Sequence, residues 1–377
     1  MCVIAYCLTE WSLNVPRGES QIMSHDQSSR PVFFVTSPLE QEHVDRIAGA
    51  AGGRIEIRYE PDLLAPTRYV ADHNGVDGFQ LTEEQEKRFM AHLSEANILW
   101  DFPTLPKGAP HLLEAAPNLQ WVQTTSSGVG QLVHRLGLAS SNLRVSTASG
   151  VHAEPLAEFV MLVLLSQMKQ LSRLQADQQA HRWVRYCGDE LPGKEMVIIG
   201  PGKIGKRVAE VAHAFGMTVS AMGRRNDPER ARELGVDRMF GRDDMFDALS
   251  EADCVVLCCP HTPETENLID ARAFNVMKDG VVFVNISRGP VVVEDALYGA
   301  LTSGKIGFAG LDVFRTEPLP EESPFWNLPN VLVSPHSAST AYSENRKISD
   351  IFCHNLECFL DDRVEEMRNL LDFQAMY

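Results

Sequence analysis

The chain has 377 residues, enough for two domains of ordinary size, and its 44% hydrophobic and 23% charged residues are typical of a globular protein with a sizeable core. Its net charge of −17 argues against nucleic acids and anionic membranes as partners, because both bind basic surfaces. Eight cysteines without a paired zinc spacing predict no metal site and favour a reducing compartment, so we expect a cytoplasmic protein.

Residues 1–30 precede the first convincing strand. They begin with a mildly apolar stretch that lacks a basic start and is too short to span a membrane, and they end in a polar stretch. We therefore predict a disordered extension rather than a secretory signal or a membrane anchor. Met23 is an alternative start of translation.

The next part of the chain alternates between strands and helices. Strands are expected at 31–36, 54–59, 96–100 and 119–124. Helices are expected at 39–50, 81–96 and 112–116, with a helical turn that ends near residue 136. This alternation predicts a parallel sheet covered on both faces, in a small domain that ends near residue 150.

A long helix follows at 155–174, with Pro155 in its first turn, where the missing N–H costs little. The helix is apolar nearly all round, so it must be buried on more than one side. It can lie between two domains or against the same helix of a second subunit. We expect both arrangements and therefore predict a homodimer.

A second α/β series begins at residue 195. Its strands are expected at 195–199, 218–222, 238–240, 254–258, 281–285, 306–311 and 330–334. Its helices are expected at 203–215, 228–234, 243–251, 270–275 and 294–303. The count and order are those of a doubly wound dinucleotide-binding domain. A final helix at 342–360 is expected to return to the first domain.

A glycine motif links the first strand of this series to its helix. Gly200, Gly202 and Gly205 form G-x-G-x-x-G between an apolar strand and an amphipathic helix, which is the context that dinucleotide binding requires. The first glycine permits the tight turn, the second lets the backbone approach a pyrophosphate, and the third allows close helix–strand packing. The helix N-terminus then offers unpaired N–H groups to the anion.

The next strand ends in a pattern that favours NADP(H). An NAD-specific site would place Asp or Glu there for the ribose 2′-hydroxyl, whereas this chain has Gly223, Arg224 and Arg225. A guanidinium can hold a 2′-phosphate through two hydrogen bonds. We predict NADP(H) as the preferred cofactor, with NAD(H) as the alternative. The rival interpretation is a pair of arginines on a solvated loop.

Three residues that follow predicted strands are candidates for the chemistry. Arg288, Glu317 and His336 each lie where doubly wound sheets gather their functional groups. An imidazolium can protonate a carbonyl oxygen as hydride arrives, while a carboxylate tunes the imidazole and an arginine clamps the substrate. Taken singly, each has a rival interpretation. His336 could be structural, Glu317 could be a solvated loop residue, and Arg288 could cap its strand.

An ordered set of motifs resembles the D-isomer-specific 2-hydroxyacid dehydrogenase family. The matching segments are Leu191-Pro-Gly-Lys, Gly200-Pro-Gly-Lys-Ile-Gly, Cys259-Pro-His-Thr-Pro-Glu-Thr, Asn285-Ile-Ser-Arg-Gly-Pro, Gly310-Leu-Asp-Val-Phe, Thr316-Glu-Pro-Leu-Pro and Val333-Ser-Pro-His. The set spans about residues 128–338, whereas the amino-terminal third matches mostly by its pattern and its Ser-Ser-Gly-Val loop.

This resemblance implies an α/β fold of two doubly wound parallel-sheet domains. A Rossmann cofactor domain at 151–336 would be inserted into a flavodoxin-like substrate domain formed by 31–150 and 337–377, with the active site in the cleft between them. Dimerisation through the cofactor domain is usual in the family. The hinge sequence Ala148-Ser-Gly-Val-His-Ala departs from the family's common Asn-x-x-Gly.

The resemblance also implies roles for individual residues. Arg288 would bind substrate, His336 would be the acid/base, and Glu317 would pair with His336. The N–H groups of Ser127 and Gly128 would hold the substrate carboxylate together with Arg288. The predicted cofactor contacts, in which Lys203 and Ile204 use the backbone and Asp312 faces the carboxamide, are Gly200, Gly202, Lys203, Ile204, Gly205, Arg224, Arg225, Cys259, Pro260, Ile286, Arg288, Asp312 and His336.

We therefore predict NADPH-dependent reduction of a small 2-oxo acid to a D-2-hydroxy acid, with glyoxylate or hydroxypyruvate as substrate. The Gly223–Arg225 pattern is similar to that of the family's glyoxylate and hydroxypyruvate reductases. No regulatory domain follows Tyr377, which argues against an allosterically controlled phosphoglycerate dehydrogenase, although a related D-2-hydroxyacid dehydrogenase stays an alternative. A cofactor-sensing protein similar to the corepressors of this fold is the alternative from another class.

Overall fold

The computed structural model describes residues 30–373, and the extension predicted for residues 1–30 lies outside them except for Arg30. Residues 31–373 form one compact unit that contains two parallel sheets. The predicted fold class, α/β with two doubly wound parallel sheets, is confirmed.

The first sheet has five strands in the flavodoxin-like order β2-β1-β3-β4-β5. The strands are β1 Val32–Val35, β2 Glu56–Arg58, β3 Ile98–Trp100, β4 Trp121–Gln123 and β5 Arg144–Ser146. The helices between them are α1 Gln41–Ala51, α2 Glu83–Glu95, α3 Leu112–Ala115 and α4 Gly130–Arg135.

Both faces of this sheet are buried, which explains the continuous apolar run of β1. Successive side chains of a strand point to opposite faces. Phe33 accordingly packs in one core with Val44 and Ile47 of α1, whereas Phe34 packs in the other with Phe89 of α2. The sequence did not predict β5, because its three residues, flanked by polar Ser141 to Asn142 and Ser149, give too short an apolar pattern.

The long helix predicted at 155–174 is interrupted. The structure has α5 at Ala153–Met168 and α6 at Leu171–Gln179. Gln170 between them adopts a left-handed conformation with φ of 53°, which ends the hydrogen-bond ladder of α5. The single helix was therefore wrong, and only α5 is strongly buried.

The second sheet has seven strands in the order β12-β11-β10-β9-β6-β7-β8, which is the Rossmann order with one added edge strand. The strands are β6 Glu195–Ile199, β7 Thr218–Met222, β8 Arg238–Phe240, β9 Cys254–Leu257, β10 Val281–Asn285, β11 Ile306–Leu311 and β12 Val331–Val333. The helices are α7 Lys203–Ala214, α8 Pro228–Leu234, α9 Met245–Glu251, α10 Ala271–Val276 and α11 Glu294–Thr302.

The last helix, α12 at Glu344–Leu360, follows β12 in the chain but packs on the first sheet. Its Phe352 stacks on Trp121 of β4, with ring centroids 4.8 Å apart, in the same core as α1. The chain thus passes from the first sheet to the second and back again. The exact domain boundaries, 150/151 and 336/337, stay a prediction.

Within residues 30–373, the helices are all too short or too polar to cross a membrane.

Candidate active site

The three candidate catalytic residues lie beyond the carboxyl ends of neighbouring strands in the seven-stranded sheet. Arg288 follows β10, Glu317 follows β11 and His336 follows β12. The structure brings Glu317 and His336 into contact, with 2.7 Å between Oε2 of Glu317 and Nδ1 of His336. Both side chains are more than one-third exposed, so a small molecule can reach them.

The surroundings of Glu317 keep it ionised. Partial burial raises the pKa of Glu317, but hydrogen bonds from His336 and from the Phe314 amide, together with the positive charges of His336 and Arg288, bring the pKa below its ordinary value. A carboxylate only accepts hydrogen bonds, so Nδ1 of His336 carries the proton that lies between them. Nε2 is then the nitrogen that can exchange a proton with a substrate.

Asp312 holds the turn that carries His336. Its Oδ1 accepts hydrogen bonds from Ser334 Oγ at 2.6 Å, from the Ser337 amide at 2.9 Å and from the Ala338 amide at 3.0 Å. The His336 amide donates to the Asp312 carbonyl at 2.9 Å, and His336 has a left-handed φ of 53°. Sequence reasoning missed this anchoring contact, although an Asp directly after a strand in Gly-Leu-Asp-Val was a usable signal. The expected contact of Asp312 with a carboxamide stays a prediction.

Arg288 lies against the predicted substrate loop of the first sheet. A Cβ atom added to Gly128 would be only 2.5 Å from Nη2 of Arg288, so the guanidinium lies directly against this glycine. The adjacent Ser127 is half-buried, and the Gly128 amide makes a long, 3.3 Å hydrogen bond to Ser126 Oγ, which a substrate carboxylate can replace. The structure thus brings together the three residues that were predicted to hold substrate.

The glycine motif has the shape expected of a pyrophosphate cradle. Gly200 has φ of +89°, and a Cβ there would lie 2.4 Å from the Cα of Cys259. Gly202 faces open space, where a phosphate can approach the backbone, and Lys203 and Ile204 begin α7 beside it. The chain therefore fits a dinucleotide at this turn.

The rest of the motif packs as the sequence predicts. A Cβ on Gly205 would lie 3.1 Å from Ile198 and 3.3 Å from the sulfur of Cys258, so this glycine allows α7 to approach β6 closely. Cys259 and Ile286 are buried, whereas Pro260 is exposed. Burial raises the pKa of the Cys259 thiol to about 11, which makes that sulfur unreactive at neutral pH.

Lys203 adds a contact that the sequence did not suggest. Its Nζ donates to Asn369 Oδ1 at 2.6 Å and to the Ser149 carbonyl at 3.3 Å. Burial lowers the pKa of this lysine. The side chain of the first residue of α7 therefore reaches the segment that follows β5.

The predicted 2′-phosphate residues lie beside the glycine turn. β6 and β7 are parallel neighbours, and the Gly200 amide donates to the Met222 carbonyl at the end of β7. Arg224 and Arg225 follow two and three residues later, and both are exposed. A phosphate on an adenosine ribose bound at this edge is within reach of such side chains. Among residues 30–373, His, Cys, Asp and Glu side chains form no cluster of three that could hold a metal ion.

Comparison with known proteins gives the same picture. Residues 161–338 match the family described as D-isomer specific 2-hydroxyacid dehydrogenase, NAD binding domain. A D-isomer specific 2-hydroxyacid dehydrogenase from Xanthobacter autotrophicus, solved in complex with NADPH and MES, superposes with a TM-score of 0.71 at 26% identity. That alignment covers 93% of this chain and 100% of the other.

Two curated relatives carry different names. D-3-phosphoglycerate dehydrogenase from Mycobacterium bovis is 34% identical over 294 residues, which are 77% of this chain and 54% of that protein. The chain thus spans about half the length of this relative. Glyoxylate/hydroxypyruvate reductase B from Citrobacter koseri is 33% identical over 75% of this chain and 87% of that protein. Because this identity extends over most of both chains, the protein belongs to the D-isomer-specific 2-hydroxyacid dehydrogenase family, as its motifs predicted.

Proposed function

We propose that the protein is an NADPH-dependent reductase that converts a small 2-oxo acid to a D-2-hydroxy acid. The observation that carries this proposal is the Glu317–His336 pair, which lies at the same sheet edge as Arg288 and opposite the Gly128 loop. An acid/base group and an anion clamp are the two functions that reduction of a 2-oxo acid requires of the protein.

Each side chain has a step that its geometry supports. Arg288 binds the substrate carboxylate, assisted by the amides of Ser127 and Gly128, and polarises the neighbouring carbonyl. NADPH, held through its pyrophosphate at the glycine turn, would supply the hydride for the carbonyl carbon. His336 gives the Nε2 proton to the carbonyl oxygen, and Glu317 stabilises the charged imidazole through Nδ1–H.

The preference for NADPH is supported by charge at the end of β7. Arg224 and Arg225 offer positive charge there, and Gly223 stands where an NAD-specific site would have a carboxylate. The Xanthobacter structure was solved with NADPH bound. NADH is expected to be the poorer cofactor.

The substrate class is supported by the anion clamp, in which Arg288 lies against Gly128 and, together with the Gly128 amide, suits the carboxylate of a 2-oxo acid. We propose glyoxylate or hydroxypyruvate as substrate, in agreement with the name of the Citrobacter relative. The test is loss of reduced-nicotinamide absorbance, with NADPH and NADH crossed against glyoxylate, hydroxypyruvate, pyruvate and larger 2-oxo acids. Fast NADPH oxidation with a small acid is expected, whereas no oxidation with any acid would contradict the proposal.

A phosphoglycerate dehydrogenase is the second candidate, because the Mycobacterium relative with that name is 34% identical. The same assay, run in the oxidative direction with D-3-phosphoglycerate and NAD⁺ or NADP⁺, separates the two functions. A kcat/KM higher for phosphoglycerate oxidation than for reduction of every small 2-oxo acid would favour the second candidate.

We further propose that the protein works as a homodimer in the cytoplasm. Large apolar side chains are exposed on and after α5, namely Leu162, Leu171, Leu174, Trp183 and Val184. A second copy of the chain would cover them. Light scattering should give about twice the chain mass of 41.9 kDa. The variant Leu162→Asp should shift that mass toward the monomer, whereas Phe246→Asp, exposed on α9, should not.

A further inference from the structure

A buried cluster of two histidines and a glutamate lies away from the catalytic pair. Oε1 of Glu344 is 3.1 Å from Nε2 of His152 and 3.2 Å from Nε2 of His73. The Glu344 side chain is only 6% exposed, and the two imidazoles are 14% and 15% exposed. Oε2 of Glu344 and Nδ1 of His73 are buried without a hydrogen-bond partner. Such a carboxylate stays charged only because both imidazoles offset its desolvation, so the three side chains depend on one another.

The three residues come from the places where the chain passes between the sheets. His152 ends residues 147–152, the first crossover, which leads from β5 into α5. Glu344 is the first residue of α12, directly after residues 334–343, the second crossover, which leads back from β12. His73 belongs to the long loop between β2 and α2 of the first sheet. Glu344 therefore ties both crossovers to one another and to the substrate side.

The second crossover carries His336. Asp312 of the seven-stranded sheet anchors the start of this segment, as described above, and Glu344 anchors its end. The catalytic pair belongs to the seven-stranded sheet, whereas Gly128 belongs to the five-stranded sheet. The placement of His336 against a substrate held at Gly128 therefore depends on the two crossovers that join these parts of the chain.

We propose that Glu344 is a positioning residue that, through His152 and His73, fixes the two crossovers and thereby sets His336 against the substrate loop. This inference rests on the proposed function for its kinetic effect, but its structural effect is independent of any reaction. A displacement of about 1 Å at a reacting group can cost on the order of 100-fold in rate, so a loosened hinge has a large kinetic consequence.

The electrostatic surroundings of Glu344 keep its contacts with the two histidines in place at neutral pH. Burial raises the pKa of Glu344, but the hydrogen bonds and charges of His152 and His73 lower it more, to about 2. Glu344 also lies in the first turn of α12, where negative charge is favoured by the helix dipole. The carboxylate is therefore ionised, and able to accept both hydrogen bonds, throughout the neutral range.

The chain offers a matched control. His92 of α2 and Glu60 form another His–glutamate pair, with 2.7 Å between Nε2 and Oε1, and their side chains are 19% and 31% exposed. Their other partners, Arg88 for Glu60 and Phe34 for His92, lie in the five-stranded half. His92→Gln removes a comparable contact without touching the hinge.

The test compares Glu344→Gln, His152→Gln and His92→Gln by hydrogen exchange and by steady-state kinetics. In each of the first two variants the substitution lies in one segment, either 148–156 or 341–347. We expect faster amide exchange in both segments all the same. The kcat/KM of these two variants for the 2-oxo acid should fall about tenfold, and the double variant should fall no further, because both changes remove one contact. His92→Gln should change neither segment and should keep kcat/KM within about twofold.

Two outcomes would overturn the proposal. Faster exchange confined to the substituted segment would show that the crossovers are not coupled through Glu344. Equal kinetic losses in His92→Gln would show a general effect of losing a buried pair. If Glu344→Gln does not fold, His152→Gln carries the test alone. Wild-type protein that reduces no 2-oxo acid would refute the proposed function, while hydrogen exchange would still decide whether the hinge is coupled.

Discussion

The carboxyl edges of the two sheets are built in different ways. On the seven-stranded sheet the main chain sets the shape, because Gly200 lies against the Cα of Cys259 and Asp312 binds consecutive amides. On the five-stranded sheet charged side chains hold the loops, with Asp72 bound to Arg68 and Glu344 bound to two histidines. The stability of the glycine turn should therefore depend on residue size, and the stability of the loops on the five-stranded sheet should depend on charge and pH.

Two His–glutamate pairs differ in how far their side chains are exposed. The His336–Glu317 pair is 42% and 35% exposed, which suits a proton exchanged with substrate and solvent. The His152–Glu344 pair is 14% and 6% exposed, which suits a fixed contact. The same residue types thus suit proton transfer where they are exposed to solvent and a structural contact where they are buried.

The largest effect is expected from His336→Ala. General acid–base catalysis contributes about 100- to 10,000-fold, so kcat should fall within this range, whereas the dissociation constant for NADPH should change far less. Steady-state kinetics and fluorescence titration measure the two quantities. His134→Ala, an exposed histidine of α4, serves as the control and should leave both unchanged. Full turnover in His336→Ala would place the acid/base elsewhere.

The buried His152–Glu344 pair should make the free energy of unfolding depend on pH in the acidic range. The pKa of Glu344 is about 2 in the folded state against an ordinary value of 4.5. Because the folded pKa is the lower one, the ionised group stabilises the fold above pH 4.5, and this contribution is lost as pH falls toward 2. This pKa shift corresponds to a contribution on the order of 3 kcal/mol to the free energy of unfolding.

The measurement is the free energy of unfolding by urea between pH 7 and pH 3, for wild type and Glu344→Gln. The variant should start less stable and should lose less on acidification, since it has no carboxylate to protonate there. Asp189→Asn, which removes an exposed partner of Lys194, should follow the wild-type curve. Parallel curves for wild type and Glu344→Gln would contradict the assigned direction of the pKa shift.

Gly200→Ala tests the size dependence of the glycine turn. Its methyl group would meet the Cys259 backbone at 2.4 Å in a left-handed conformation, so the free energy of unfolding should fall by about 1–3 kcal/mol and cofactor affinity should fall with it. Gly299→Ala, in α11 with open space around it, should leave stability equal or slightly higher. A normally stable Gly200→Ala that binds NADPH would refute the close-approach argument.

These contrasts also explain what the sequence could and could not predict. Gly200, Gly202 and Gly205 lie close together in the chain between an apolar strand and an amphipathic helix, so local sequence predicted the turn that the structure has. The rule that strand ends meet at one edge placed Glu317 and His336 on the same side of the sheet, and the family resemblance predicted their contact, although 19 residues separate them.

The Glu344 cluster offered no such signal. Its partners His152 and His73 are 192 and 271 residues away, and an acidic residue at a helix start is ordinary in any sequence. β5 and the break at Gln170 were missed for a local reason, since a three-residue strand and a single left-handed residue leave almost no periodic pattern.

The smallest of these effects is expected for Arg224→Asp, which reverses charge at the end of β7. The ratio of kcat/KM with NADPH to that with NADH should fall by about tenfold or more, because the carboxylate repels a 2′-phosphate and can accept a hydrogen bond from a ribose hydroxyl. Arg232→Asp, on the exposed face of α8, makes the same change in net charge away from the turn and should leave the ratio unchanged. A ratio that falls equally in both variants would mean that long-range charge sets the cofactor preference. An unchanged ratio in Arg224→Asp would mean that another residue contacts the 2′-phosphate, and Arg225 would be the next residue to test.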